Sequence, residues 1–158
     1  MAPHDHRPSP PEGLDGEGLR VAIVRARWHP TIVERLAAGA NRVLEELDVR
    51  GVEEHTVPGC FEIPLAVKAI VESRTVDAVI CLGAVITGED EEDIISHECA
   101  RGVQNVQRAT GVPVAFGVLS TRSHAPAMAK SADDGGYNLG EDAAYVAVEM
   151  ARLVQRYH

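Results

Sequence analysis

Val79-Ile80-Cys81-Leu82-Gly83-Ala84-Val85-Ile86-Thr87-Gly88-Glu89-Asp90-Glu91-Glu92-Asp93 begins as a strand and ends as a charged turn. The apolar run from Val79 to Ile86, with its β-branched members, has the pattern of a strand buried on both faces. Gly88 marks the turn, and Glu89, Asp90, Glu91, Glu92 and Asp93 are expected on the first turns of the next helix. The helix dipole there favours negative charge, whether it comes from the protein or from a bound anion. Open α/β sheets place their ligands at strand ends of this kind. Carboxylates or a ligand phosphate can fill that position, but both rarely do.

The chain repeats the same unit on either side of this stretch. Upstream, Val21-Ala22-Ile23-Val24 reads as a strand, and Pro30 opens a helix in which Ile32, Val33, Leu36, Ala37, Ala40, Val43, Leu44 and Leu47 recur at helical spacing. A second strand is expected around His55-Thr56-Val57, closed by Pro58-Gly59. Pro64 opens a second helix, with Leu65, Ala66, Ala69 and Ile70 expected inward. Downstream, the helix after the acidic turn is expected to reach Thr110 with Ile94, Ile95, Cys99, Val103 and Val106 inward. A strand over Val114–Leu119, a short helix near Ala127–Ala132 and a last helix from Gly140 to Tyr157 follow. Strands alternating with helices predict an α/β fold of three layers, α/β/α, around a four-stranded, mainly parallel sheet.

The chain has 158 residues, which suits one domain with a tail. Residues 1–18 hold Pro3, Pro8, Pro10, Pro11, Gly13, Gly16 and Gly18 and hardly any apolar side chains, so a flexible tail is expected there and a folded domain over 19–158. His4 and His6 in that tail are expected to be solvated. A composition 45% hydrophobic and 25% charged is that of a soluble globular chain, and with only 4% aromatic residues the core must be aliphatic. The net charge of −9 argues against nucleic acid or an anionic membrane as partner, because both need a basic footprint. No stretch is long enough to span a bilayer and no secretory signal is read at the N-terminus, which predicts a cytoplasmic location. Cys60, Cys81 and Cys99 are expected to be reduced and structural, with no metal pattern.

Three turns follow strands and are expected at one edge of the sheet. Trp28, after the first strand, either caps the core or offers a flat face to a heteroaromatic ring. Pro58-Gly59-Cys60-Phe61-Glu62-Ile63-Pro64 combines backbone amides, an aromatic ring and one carboxylate, a set suited to a polyhydroxylated or amide-bearing ligand. Its plainer reading is that Glu62 completes a helix N-terminus. The third turn is the acidic one. Phe116, on the fourth strand, belongs either to the core or to a contact with a neighbouring subunit.

Together, Ala-Arg-Trp-His at 26–29, Val-Pro-Gly-Cys-Phe-Glu-Ile-Pro at 57–64, the run 78–89, Gly-Val-Pro-Val-Ala-Phe-Gly-Val-Leu-Ser-Thr at 111–121 and Asn-Leu-Gly-Glu-Asp-Ala-Ala at 138–144 resemble the 6,7-dimethyl-8-ribityllumazine synthases of riboflavin biosynthesis. The resemblance spans Leu19 to Leu153 in order. It implies a flavodoxin-like subunit that assembles with itself into pentamers, or into decamers and 60-subunit shells built from them, with each site between two subunits. It also implies a transferase, acting without metal or organic cofactor, that condenses 5-amino-6-(ribitylamino)uracil with 3,4-dihydroxy-2-butanone 4-phosphate. Carried onto this chain, Trp28 stacks on the pyrimidine, and Cys60, Phe61 and Glu62 hold the ring and ribityl chain. Ala84, Val85 and Ile86 line the other edge, and Phe116 is lent by the neighbour.

The phosphate half departs from the family pattern. Where the family reads Gly-Glu-Thr-Pro-His, this chain reads Gly88-Glu89-Asp90-Glu91-Glu92, one residue shorter before Glu98. The family histidine falls on Glu91 or Glu92, of which Glu92 is the catalytic candidate. Gly88, Glu89, Asp90 and Lys130 take the phosphate-binding positions, and Leu139 replaces a basic residue. Two functions follow as expectations: a lumazine synthase with a replaced proton carrier, or an altered paralogue that keeps the assembly and a ring site for a lumazine, flavin or pterin.

Overall fold

The computed structural model describes residues 9–158, leaving His4 and His6 outside the described residues. Its sheet runs in the order β2-β1-β3-β4, built from β1 (Arg20–Ala26), β2 (Gly51–Val57), β3 (Ala78–Ile86) and β4 (Val114–Thr121). All neighbouring strands are parallel. Helices α1 (Pro30–Glu46) and α5 (Leu139–Gln155) cover one face, and α2 (Ile63–Glu72) and α3 (Ile94–Thr110) cover the other. A short α4 (His124–Ala129) follows β4. This three-layer arrangement is flavodoxin-like, and the strand order reverses between β1 and β3.

The two-residue period of the strands divides the core into halves. Val21, Ile23, Ile80 and Leu82 point toward α1 and α5, whereas Ala22, Val24, Val79 and Cys81 point toward α2 and α3. Both faces are dry, so β1 and β3 read as continuous apolar runs rather than alternating ones. β2 extends four residues earlier than the short stretch 55–57, back to Gly51. It is an edge strand with mostly exposed side chains, held by its register with β1 (Val24 opposite His55) and not by an apolar pattern.

Helix faces differ from expectation where the site lies. α2 buries Ile63, Val67 and Val71, while Leu65 is 74% exposed and Ala69 faces solvent. The 3₁₀ turn Cys60–Glu62 places α2's first helical residue at Ile63, which rotates the buried stripe away from Leu65. α3 begins at Ile94, not in the acidic run, and Asp93 is its N-cap, accepting from the Ser96 N–H at 2.8 Å. Glu89 to Glu92 therefore lie in a loop before the helix, and Ile94 and Ile95, expected inward, are exposed.

Asn138 joins the α1–α5 side. Fully buried, it caps α5 by accepting from the Gly140 and Glu141 N–H groups at 2.8 and 3.2 Å, and it donates to the Arg35 and Ala132 carbonyls at 3.0 Å each. Four bonds use the capacity of a side-chain amide fully, so its burial carries no unpaired polar atom. Within the segment that composition assigns to a tail, Leu14 packs on the core, the Gly16 N–H donates to the Leu47 carbonyl at 2.6 Å, and Arg152 Nε donates to the Asp15 carbonyl at 2.8 Å.

Candidate functional site

The carboxyl ends of β1 and β3 flank the point where strand order reverses, and a cavity of about 490 Å³ opens there. Trp28, His29, Gly59, Cys60, Phe61, Glu62, Ala84, Val85, Ile86 and Ile95 line it. Every residue expected at the ring site, except Phe116, is on this wall. Phe116 packs among the α2–α3 side of the core on the edge strand β4 and lines neither this cavity nor its neighbour.

Backbone geometry explains the convergence. His29 sits at φ +56° and turns the chain sharply from β1 into α1, which leaves Trp28 69% exposed at the cavity. Gly59 lies beneath both polar and aromatic groups: a Cβ there would stand 3.2 Å from Glu62 Oε2 and 3.3 Å from Trp28 Cδ1. A flat ring face and a carboxylate thus meet closely over Gly59, where a side chain would crowd both. On the opposite wall a Cβ at Gly83 would lie 2.5 Å from Cys60 Sγ, so the thiol is seated directly on β3. Burial pushes the Cys60 thiol up to about 11, a bond with the Ala84 backbone offsets part of that, and the charges of Asp93 and Glu62 add to it. At neutral pH Cys60 is a protonated packing group, not a nucleophile.

A second cavity, of about 630 Å³, adjoins the first, lined by Thr87, Glu91, Glu92, Asp93, Ile94, His97, Glu98, Ser120, Thr121 and Arg122. Consecutive residues separate the two: Ile86 and Ile95 belong to the first, Thr87 and Ile94 to the second. Both are within the size range of small-molecule sites.

Three successive residues at the end of β4 hold the loop that carries the acidic side chains. Ser120 Oγ donates to Asp93 Oδ2, the Thr121 carbonyl accepts from the Thr87 N–H at 3.0 Å, and Arg122 Nη1 donates to the Glu89 carbonyl at 2.6 Å. Asp93 also accepts from the Ser96 hydroxyl. Burial alone would raise the Asp93 carboxyl, but the bonds from Ser120 and Ser96 and the charge of His97 outweigh it and hold the carboxyl below its ordinary value. Gly88, at φ +77°, makes the reversal out of β3 that a side chain would strain.

Glu92 lines this second cavity, as do Glu91 and Glu98. Of the other positions expected at the phosphate, Gly88, Glu89 and Asp90 lie in the loop leading to that wall, and Lys130 follows α4 and lines neither cavity. His29, Ile95 and Arg122 are wall residues that the sequence reading did not assign. Arg122 was within reach of that reading, because parallel pairing of β3 with β4 sets Ile86 opposite Thr121 and brings both following loops together. Among the described residues, no group of three or more His, Cys, Asp and Glu is placed to hold a metal ion.

A parallel sheet with two adjoining clefts at its carboxyl edge, one ringed by Trp28 and Phe61 and one by carboxylates, defines an α/β protein of flavodoxin-like fold. The family model for 6,7-dimethyl-8-ribityllumazine synthase matches residues 18–155. The 6,7-dimethyl-8-ribityllumazine synthase of Paraburkholderia phytofirmans is 43% identical over 143 residues, 89% of this chain and 82% of that protein. The enzyme of the same name from Thermococcus gammatolerans is 39% identical over 145 residues, 91% of this chain and 93% of that protein. The chain belongs to the lumazine synthase family.

Proposed function

We propose that this protein forms 6,7-dimethyl-8-ribityllumazine in riboflavin biosynthesis by condensing 5-amino-6-(ribitylamino)uracil with 3,4-dihydroxy-2-butanone 4-phosphate. The observation that carries the reading is the first cavity, where Trp28, Glu62 and the Ala84–Ile86 wall converge on a space suited to a heteroaromatic ring. The ring stacks on Trp28, and Glu62 accepts hydrogen bonds from the amide and ribityl groups. The four-carbon phosphate enters the adjoining cavity, so the amine and the ketone meet at the Ile86–Thr87 and Ile94–Ile95 boundary. Glu92 moves the protons of imine formation and phosphate loss.

A homo-oligomer of the pentameric kind is part of the same reading. Trp28, Phe61 and Ile95 on the first cavity and Ile94 on the second are exposed apolar side chains, and Phe116 lies on an edge strand. Surface of that kind is characteristic of interaction sites. Sedimentation velocity checks it, and a monomer at micromolar concentration would count against it. Among the described residues no helix is long and apolar enough to cross a membrane. The location proposed is the cytoplasm, and neither cofactor nor metal has a role in the proposed chemistry.

One observation favours a second reading. Glu91, Glu92, Asp93 and Glu98 share the wall where a phosphate dianion is to bind. Two unit charges ~4 Å apart repel by roughly 1 kcal/mol in bulk water and about 4 kcal/mol at an effective dielectric near 20. A paralogue that keeps the ring cavity for a lumazine, flavin or pterin without phosphate would suit such a wall. Lumazine formation from the two substrates, followed by its visible absorbance, separates the readings. A rate well above the uncatalysed reaction is expected; a rate equal to it overturns the first reading in favour of the second.

A further inference from the structure

We propose that Arg122 is the anion-recognising side chain of the acidic cavity, the group that takes the phosphate of the four-carbon substrate. The inference rests on the reaction proposed above and names a residue for it. Arg122 lies on the cavity wall, yet among the described residues its one hydrogen bond goes to a neutral acceptor, the Glu89 carbonyl at 2.6 Å. None of the ion pairs formed among the described residues involves it, although four carboxylates share the same wall. A guanidinium has five N–H donors in a fixed fork that matches phosphate oxygens two at a time. Among the described residues most of that capacity is unused, and no ion pair takes up the charge.

The hydroxyl donors of the cavity are committed. Ser120 Oγ donates to Asp93, Thr121 Oγ1 to the Ser123 carbonyl at 2.8 Å, and Thr87 Oγ1 to the Gly88 carbonyl at 3.1 Å. The α3 N-terminus is capped by Asp93, which occupies the place an anion would take at a bare helix end. Lys130, in the position of the family's phosphate arginine, lines neither cavity. Arg122 is thus the permanently charged donor of this wall. Its bond to the Glu89 backbone holds it at the cavity at the same time as it pins the loop bearing Glu91 and Glu92. Those two carboxylates are exposed and paired with no cation among the described residues, so they can turn to solvent when an anion arrives.

The test compares full-length wild type with Arg122→Lys and Arg122→Gln. Inorganic phosphate is titrated by its ³¹P line width, and KM is measured for each substrate. Saturable broadening is expected for wild type, in weakened form for R122K, and not for R122Q. R122Q should raise KM for the butanone phosphate roughly 10- to 100-fold while KM for the aminouracil stays within about twofold. Equal rises in both KM values would show that Arg122 only clamps the loop, and an unchanged KM for the phosphate-bearing substrate would overturn the inference outright. R122K keeps a donor for the Glu89 carbonyl, so it separates loss of anion recognition from loss of folding. If wild type makes no lumazine above background, the proposed reaction fails while the phosphate titration still decides on Arg122: broadening lost in R122Q sustains it, and broadening equal in all three proteins overturns it.

Discussion

The two cavities share a wall and were built by different means. The ring cavity is shaped by the backbone: His29 in the left-handed region throws Trp28 outward, Gly59 leaves room for Trp28 and Glu62 to meet, and Gly83 seats Cys60. The acidic cavity is shaped by side chains reaching from one element to another, with Ser120 and Arg122 at the end of β4 gripping a loop that follows β3. The shape of the first cavity is therefore coupled to the fold, while the acidic wall is attached to the fold at only a few points. The same secondary structure can keep one half of a site and alter the chemistry of the other.

The largest effect should come from the acidic half. Glu92→Gln is expected to lower kcat on the order of 10²- to 10⁴-fold, the usual loss when a positioned general acid or base is removed, with ring-ligand affinity unchanged. His97→Ala, on the same wall, is the contrast, and if it rather than E92Q abolishes turnover the proton carrier is the histidine. Gly83→Ala should damage the ring half alone. A Cβ 2.5 Å from Cys60 Sγ forces the 3₁₀ turn outward at a cost of about 1–3 kcal/mol, read as a lower urea midpoint.

Asp93→Ala removes the α3 N-cap and should cost about 1 kcal/mol. Because the folded carboxyl lies below its ordinary value, Asp93 contributes stability that is fully present above the unfolded pKa and lost as pH falls through the folded one. The acidic half should loosen first on acidification below about pH 4, and hydrogen exchange at the α3 N-terminus would show it; equal pH dependence in wild type and D93A would count against the assignment. Trp28→Ala should weaken ring-ligand binding by about 1 kcal/mol, measured by calorimetry, and leave stability unchanged because the side chain is mostly exposed. The smallest effect is a null one: with Cys60 pushed up to about 11 and Cys99 to about 12, both by burial, iodoacetamide at pH 7 should leave the native protein unlabelled by mass spectrometry.

The same contrast governs what could be read from sequence. Buried strands announce themselves by composition, so β1, β3 and β4 and the α/β alternation were legible, as was the cluster Trp28, Cys60–Glu62 and Ala84–Ile86, whose members lie at the end of a strand or just after one. β2 was legible only at its end, because an edge strand with exposed side chains takes its place from backbone pairing with β1. The start of α3 was misplaced although a signal existed: an aspartate immediately before Ile94 and Ile95 is an N-cap pattern, and dipole arguments about five carboxylates obscured it. Arg122 was missed because its partner is a carbonyl thirty-three residues away, and a hydrogen bond to backbone leaves no trace in the identity of the partner residue.

That last feature reaches beyond the site. The loop is fixed through the Thr87 amide, the Glu89 carbonyl and the Asp93 carboxylate, so no hydrogen bond or ion pair among the described residues depends on which side chains stand at 89, 90, 91 and 92. Those four positions form an interchangeable insert in an unchanged frame. Substitutions there meet little resistance from folding, and this is where relatives of one architecture can drift apart in chemistry without first passing through an unstable intermediate sequence.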